Sequence, residues 1–230
     1  ICFHRSAAAL EAMWKYLLIC SVGIGLALLG TFFVALADES HFGLNLAILA
    51  GRAEALDARW CKAAFILILA GYGTKMGLAP FHTWLPDAHS EAPGPVSALL
   101  SAALLNCSFL GILRFTQFMP ESLHDFCKTL LLALGFLSLA TAAFFIIRQH
   151  DFKRMLAYSS VEHMGLLALL WGCGMRDLTM QTATLWHLIG HSLLKMVLFL
   201  VAGNILLAYG TRSVTAVKGM FSSTTRNAFL

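Results

Sequence analysis

Two lysines and two histidines stand where the surrounding sequence leaves them no water. His187, His191 and Lys195 lie inside WHLIGHSLLKMVLF, and Lys75 follows the run AFILILAGYGT. The first three are spaced i, i+4, i+8, which places them along one face of a helix. Imidazole exchanges a proton near neutrality, so a file of such groups on one face has the chemistry to hand a proton along. Two other uses of the same residues stay open. A His pair at i, i+4 can hold a metal, although this one lacks the Glu of HExxH and no third ligand is apparent. The groups can also serve as interhelical hydrogen-bonding partners alone.

Lys75 poses the sharper question. A lysine at mid-bilayer costs at least about 2.5–3.5 kcal/mol on insertion scales, so it should face a protein interior or a water cavity. Five residues later stands Pro80, whose ring crowds the carbonyl of Met76 and which has no N–H, and Gly71, Gly73 and Gly77 loosen the same stretch. A helix break is therefore expected around Gly77 and Pro80. Broken backbone at membrane depth is tolerated where it is buried in protein or lines water, and transporters place ion sites beside such breaks. The alternative is that Lys75 snorkels to an interface from the end of its helix.

Two further polar stretches carry candidate groups. In YSSVEHMG, Glu162 and His163 are adjacent, so they point in different directions and each can meet a different neighbour. The segment from Phe81 to His89, containing His82, Asp87 and His89, reads as a loop that either collects protons or forms an amphipathic cap.

The elements that must position these groups follow from composition. The chain has 230 residues, 59% hydrophobic and 12% charged, about half the charge of a soluble domain; its mean hydropathy is +0.76. These values define a membrane protein and exclude a disordered chain, a disulfide scaffold and a nucleic-acid binder, whose basic residues would cluster on one face. A transmembrane helix needs about 20 apolar residues, and the pattern predicts six, at about 14–37, 60–79, 93–115, 128–148, 154–174 and 180–209. The expected fold class is all-α and polytopic, with all 230 residues in one membrane unit. The first apolar run is too long for a signal peptide and lacks a small-residue cleavage motif.

Outside the spans, Arg5, Lys15, Arg148, Lys153, Arg154, Arg212, Lys218 and Arg226 fall on the side of the N-terminus. Arg52, Arg59, Lys62, Arg114, Lys128 and Arg176 fall on the other, a small bias toward a cytoplasmic N-terminus. The mixed polar stretch at about 38–59, with Asp38, Glu39, His41, Arg52, Glu54 and Asp57, reads as a short outer excursion. The six cysteines, Cys2, Cys20, Cys61, Cys107, Cys127 and Cys173, form no CxxC pair and read as small apolar residues. There is no GxGxxG, P-loop or GxSxG motif and no cysteine cluster for a metal centre, so no cofactor and no catalytic centre of the chain's own is expected.

Three segments carry a family resemblance: KMGLAPFHTWLPDAHSEAPGPVSALLSAALLNCSFLGILRF (75–115), DFKRMLAYSSVEHMG (151–165) and HLIGHSLLKMVLFLVAGN (187–204). They resemble the antiporter-like membrane subunits of energy-converting oxidoreductases, which include the pumping subunits of NADH:quinone oxidoreductase, membrane subunits of formate hydrogenlyase-type complexes and large subunits of multi-subunit Na+/H+ antiporters. SEAPGPVSALLSAALLN together with SSVEHMG is most similar to the hydrogenase-4 component F branch. The resemblance runs from about residue 9 to 219.

The resemblance implies a fold of about fourteen helices with two inverted repeats, of which the spans here match the sixth to the eleventh, as in a piece of a longer protein. It implies that Lys75 is the lysine of a broken seventh helix and that Lys195, with His191, is the polar centre of a broken eleventh. The family's fifth-helix glutamate would precede Ile1, and its twelfth-helix acid or lysine would follow Leu230. Asn106 stands where the quinone-reductase branch has a lysine; an amide holds water but does not titrate. The implied function is proton translocation, and with the residues read from spacing above the expected proton-transfer set is Lys75, His187, His191, Lys195, Glu162, His163 and Asn106. The implied partners are other membrane subunits, a peripheral redox arm, the bilayer of a bacterial or archaeal cytoplasmic membrane and protons. A stand-alone cation/proton antiporter subunit and a non-pumping scaffold are the alternatives.

Overall fold

In a computed structural model, residues 6–38, 49 and 51–218 are described. Arg5, Glu39, His41, Cys2 and Arg226 lie outside them, as do residues 39–48 and 50 of the expected outer excursion. The elements are α1 (Ala7–Ala37), α2 (Ala58–Met76), a short α3 (Trp84–Glu91), α4 (Gly94–Thr116), α5 (His124–Ile146), α6 (Phe152–Gly174) and α7 (Leu178–Tyr209). Carboxylates and a hydroxyl open the long helices: Ser6 caps α1, Asp57 α2, Asp151 α6 and Asp177 α7, each accepting a first-turn backbone N–H.

Among the described residues, five helical segments are long and apolar enough to cross a membrane: α1, α2 with α3, α4, α5 and α7. Helix α6 has 23 residues, the length of a span, but Glu162, His163 and its serines dilute its hydropathy. It compensates by position. It packs between α5 and α7 and also against α3 and α4, and Ala157, Val161, Met164, Leu167 and Ala168 are fully buried there. By contrast α1, α5 and α7 leave Leu18, Val22, Phe136, Phe144, Trp186 and Leu193 on the outside, apolar surface suited to lipid or to further helices.

Helix pairs approach closely where side chains are smallest. A Cβ placed on Gly71 of α2 would lie 2.5 Å from both the Ala27 nitrogen and the Gly23 carbonyl oxygen of α1. The α1–α2 crossing therefore depends on glycine, as small-residue contacts between membrane helices do.

Of the two residues expected to break the helix, Gly77 and Pro80, it is the glycine that ends α2. The helix ends at Met76, with Gly77 in the left-handed conformation at φ 80°, where an L side chain is strained. Pro80 thus lies outside any helix, in the connection to a 3-10 turn at Phe81–Thr83 and to α3. Glycine stops the helix because the chain must turn before the proline is reached. The freed backbone groups are accounted for one by one. Leu78 N–H donates to the Gly73 carbonyl at 2.9 Å, Phe81 N–H to that of Leu78 at 2.8 Å, and Ala79 N–H to Ser138 Oγ of α5 at 2.9 Å. The stretch from Phe81 to His89, expected as a loop, is largely helical and buries Trp84, Leu85, Pro86 and His89.

Helix α7 corrects a second expectation. Its 32 residues run without interruption, so the break implied for the eleventh helix is not there; no proline falls within it, and Gly190 and Gly203 alone do not stop a packed helix. The irregularity lies instead in α4, where Leu100–Leu104 form a π-helical turn, a feature that often marks functional sites.

Candidate functional site

The two lysines singled out in the sequence belong to separate polar clusters. Lys75 is in the last turn of α2 and half-buried. Its Nζ donates to the Tyr16 hydroxyl at 3.3 Å and lies 4.8 Å from the centre of that ring. The Tyr16 ring in turn meets Trp84 edge-on at 5.1 Å. Lys75 therefore points across to α1 at the helix break and, among the described residues, is held by a phenol rather than by a carboxylate.

The second cluster lies between α6 and α7. His163 Nδ1 and His187 Nε2 are 3.2 Å apart, and the His163 and His191 rings are 5.4 Å apart. The α6 histidine thus bridges the two histidines of α7. Beyond His191, whose two ring nitrogens have no hydrogen-bonding partner among the described residues, comes Lys195. It is 1% exposed, and its Nζ donates to the Leu156 carbonyl of α6 at 3.1 Å. The i, i+4, i+8 face is thus turned inward and completed by a residue from the next helix. Among the described residues no group of three or more His, Cys, Asp and Glu is arranged to hold a metal.

The π turn of α4 faces the same region. Ser101 Oγ is 2.9 Å from Ser160 Oγ of α6, and Ser160 donates to the Leu156 carbonyl, the acceptor of Lys195. The Ala102 carbonyl receives both Ser192 Oγ of α7, at 2.5 Å, and Asn106 Nδ2, at 2.8 Å. Asn106 is mostly buried and its Oδ1 has no partner among the described residues.

Glu162 falls outside this arrangement. It is exposed on the surface of α6, turned away from His163, because neighbouring residues on a helix differ by about 100° in direction.

Further polar residues cluster nearby, some of which sequence reasoning counted only as loop charges. Lys153, counted there among loop charges, is fully buried, and its Nζ donates to the Ala92 carbonyl; this weakens the orientation bias by one residue. Next to it Arg212 Nη1 donates to Glu91 Oε1 and to the Ser90 carbonyl, both at 2.7 Å, while Ser90 Oγ donates to Asp151 Oδ2 at 2.6 Å. Asp87 accepts from Lys15 at 2.8 Å and pairs with Arg154 at 3.1 Å, beside a polar cavity of about 280 Å³ that also touches Glu11. His82 Nδ1 and both nitrogens of His89 are buried without partners among the described residues. The one sequence signal for this layer was the cluster of His and carboxylate between Phe81 and Glu91.

Long apolar helices, one of them split beside a lysine, around buried imidazoles and amines, define a polytopic membrane protein of the antiporter-like fold. The chain belongs to the family NADH:quinone oxidoreductase/Mrp antiporter, TM, whose model matches residues 1–227. It is 40% identical over 226 residues to the hydrogenase-4 component F homolog of Methylacidiphilum infernorum, covering 96% of this chain and 47% of that protein. It is 35% identical over 195 residues to NAD(P)H-quinone oxidoreductase chain 4 2 of Thermosynechococcus vestitus, covering 84% of this chain and 35% of that one. Its fold is similar, with a TM-score of 0.85 and 26% identity, to a chain of the membrane-bound sulfane sulfur reductase, an archaeal respiratory membrane complex, over 94% of this chain and 44% of that chain. The chain spans about half the length, or less, of the curated relatives it matches.

Proposed function

We propose that this chain is the part of a proton-translocating membrane subunit that carries protons through Lys75 and through the file His187, His163, His191 and Lys195. The subunit works within an energy-converting oxidoreductase complex of the hydrogenase-4/formate hydrogenlyase or NADH:quinone oxidoreductase type, in the cytoplasmic membrane of a bacterium or archaeon. Its partners are other membrane subunits and a peripheral redox arm. The names of the relatives support this reading, and one observation carries it: the contact of His163 with His187 and His191 beside the buried Lys195. A structural role would need one hydrogen bond per group, not imidazoles in contact with one another and with unpaired nitrogens.

Chemically the file needs little. A neutral imidazole accepts a proton on one nitrogen and releases one from the other, so His163 can take a proton from one α7 histidine and return one to the next. Charge near Lys75 or Lys195 is felt strongly in a low-dielectric interior, so a redox event that moves charge in a partner subunit shifts the balance between ammonium and amine.

The test is proton pumping by the complete complex in sealed vesicles, with the full-length protein carrying Lys75→Met or Lys195→Met. Each variant is expected to lower pumping at least ten-fold at unchanged levels of assembled complex. Undiminished pumping in both rejects the reading. Ion exchange that proceeds without an electron donor rejects redox coupling and makes the protein a cation/proton antiporter.

A further inference from the structure

His89 is a fully buried imidazole that the file above does not use. It sits in the last turn of α3 with no exposed surface. Neither ring nitrogen has a hydrogen-bonding partner among the described residues, and a buried imidazole left so is costly unless something mobile serves it. Its ring is stacked on Phe199 of α7, with centroids 4.5 Å apart and planes at 15°. Phe199 follows Lys195 by one helical turn, so the stack sets the imidazole along the face that carries His187, His191 and Lys195.

On its other side His89 approaches the surface cluster. The next residue, Ser90, offers its carbonyl to Lys153 Nζ at 3.5 Å, and Lys153 also donates to the Ala92 carbonyl. The Lys153 backbone N–H donates to Asp151 Oδ1 at 2.8 Å, and the Ser90 carbonyl also accepts from Arg212 Nη1, which donates to Glu91 Oε1 as well. Ser90 Oγ joins that group to Asp151 Oδ2 at 2.6 Å, and Asp151 is part-exposed at the start of α6. The backbone around His89 is held in place as well, its carbonyl accepting from Ser97 Oγ of α4 at 3.1 Å.

We infer that His89 is a proton-carrying residue that links Lys195 to Lys153, and through Ser90 and Asp151 to the surface beside Arg212. The inference rests on the proposed translocation and assigns the file an end. A proton leaves the Lys195 ammonium for one His89 nitrogen, the imidazolium releases a proton from its other nitrogen to neutral Lys153, and Lys153 returns to the amine by releasing one toward Asp151. Water fills whatever gap separates the groups. Each step moves one proton and no bond between heavy atoms changes. The stacked Phe199 fixes the ring, and Arg212, held by Glu91 and Ser90, keeps a positive charge at the mouth that discourages an excess proton from settling there.

The test uses the full-length protein in its complex, with His89→Phe, which keeps the stack on Phe199, and His89→Gln, which keeps polar atoms but cannot be protonated. Lys153→Gln is the third variant. Assembled complex is measured by native electrophoresis, and pumping is expressed as protons moved per electron transferred. Both His89 variants and Lys153→Gln are expected to lower that ratio at least two-fold at normal assembly, a change that a purely structural role would not produce. If His89→Phe fails to assemble, His89→Gln decides. An unchanged ratio in the His89 variants, with Lys195→Met still defective, overturns the inference and leaves the proposed function standing. An unchanged ratio in Lys195→Met as well places the fault with the proposed function itself.

Discussion

The indole Nε1–H of Trp84 donates to the carbonyl of Thr74 at 2.8 Å. This ties the start of α3 to the last turn of α2, across the break and directly beside Lys75. Trp84 is fully buried and its ring also meets Tyr16, so one side chain holds the two half-helices in register and supports the phenol that holds the lysine.

Trp84→Phe keeps an aromatic ring against Tyr16 and removes the donor. The lost bond and the smaller ring are expected to cost about 1–2 kcal/mol, read as a lower thermal midpoint of the detergent-solubilised protein. The thiol-reactive probe accessibility of a cysteine placed at position 75 should rise as the break loosens. An unchanged midpoint and unchanged accessibility would show that the indole bond does not hold the half-helices together.

The α1–α2 crossing makes a second prediction. In Gly71→Ala the new Cβ would meet backbone atoms of Gly23 and Ala27 at 2.5 Å, and backbone cannot swing aside as a side chain does. Overpacking of this kind costs about 1–3 kcal/mol or more. Gly25→Ala, with nothing within 4 Å of the added carbon, is the control and should fold like the parent protein. Equal yields and melting points for the two would remove the crossing from the structural account.

Asp57 provides a pH-dependent one. Its Oδ1 accepts the Arg59 backbone N–H at 2.7 Å as the cap of α2. That hydrogen bond, with the nearby Arg59 charge, holds the carboxyl below its ordinary value of 3.8. A depressed folded-state value means that the cap stabilises above the unfolded-state value and is lost as pH falls through the folded one. The thermal midpoint of Asp57→Ala should therefore lie below that of the parent at neutral pH, and the gap should shrink on acidification below about pH 4. A gap that stays constant with pH would assign the difference to something other than the carboxylate.

Much of this molecule was legible in the linear chain. Composition and runs of apolar residues decide that the helices belong in a membrane, since so few charges cannot cover a water-soluble surface. The spacing of His187, His191 and Lys195 decides that they share a face, and glycine ahead of Pro80 decides that a helix ends near Lys75. These are properties of neighbours within one or two turns.

Only the tertiary structure decided what those faces meet. Periodicity says which residues lie together on a helix but not how far the helix is rotated toward its neighbour. Thus His163 closes the file between His187 and His191 while Glu162, one residue before it, is exposed. Lys153 looked like a loop charge because Arg148, Gln149, His150 and Asp151 precede it, yet packing of α6 against α3 buries it. Helix α7 stays whole where a break was expected, and α4 carries the irregular turn instead. His89 gained its meaning from Phe199, 110 residues away in the chain: a stacking partner that far along is supplied by the packing of helices, and no local pattern encodes it.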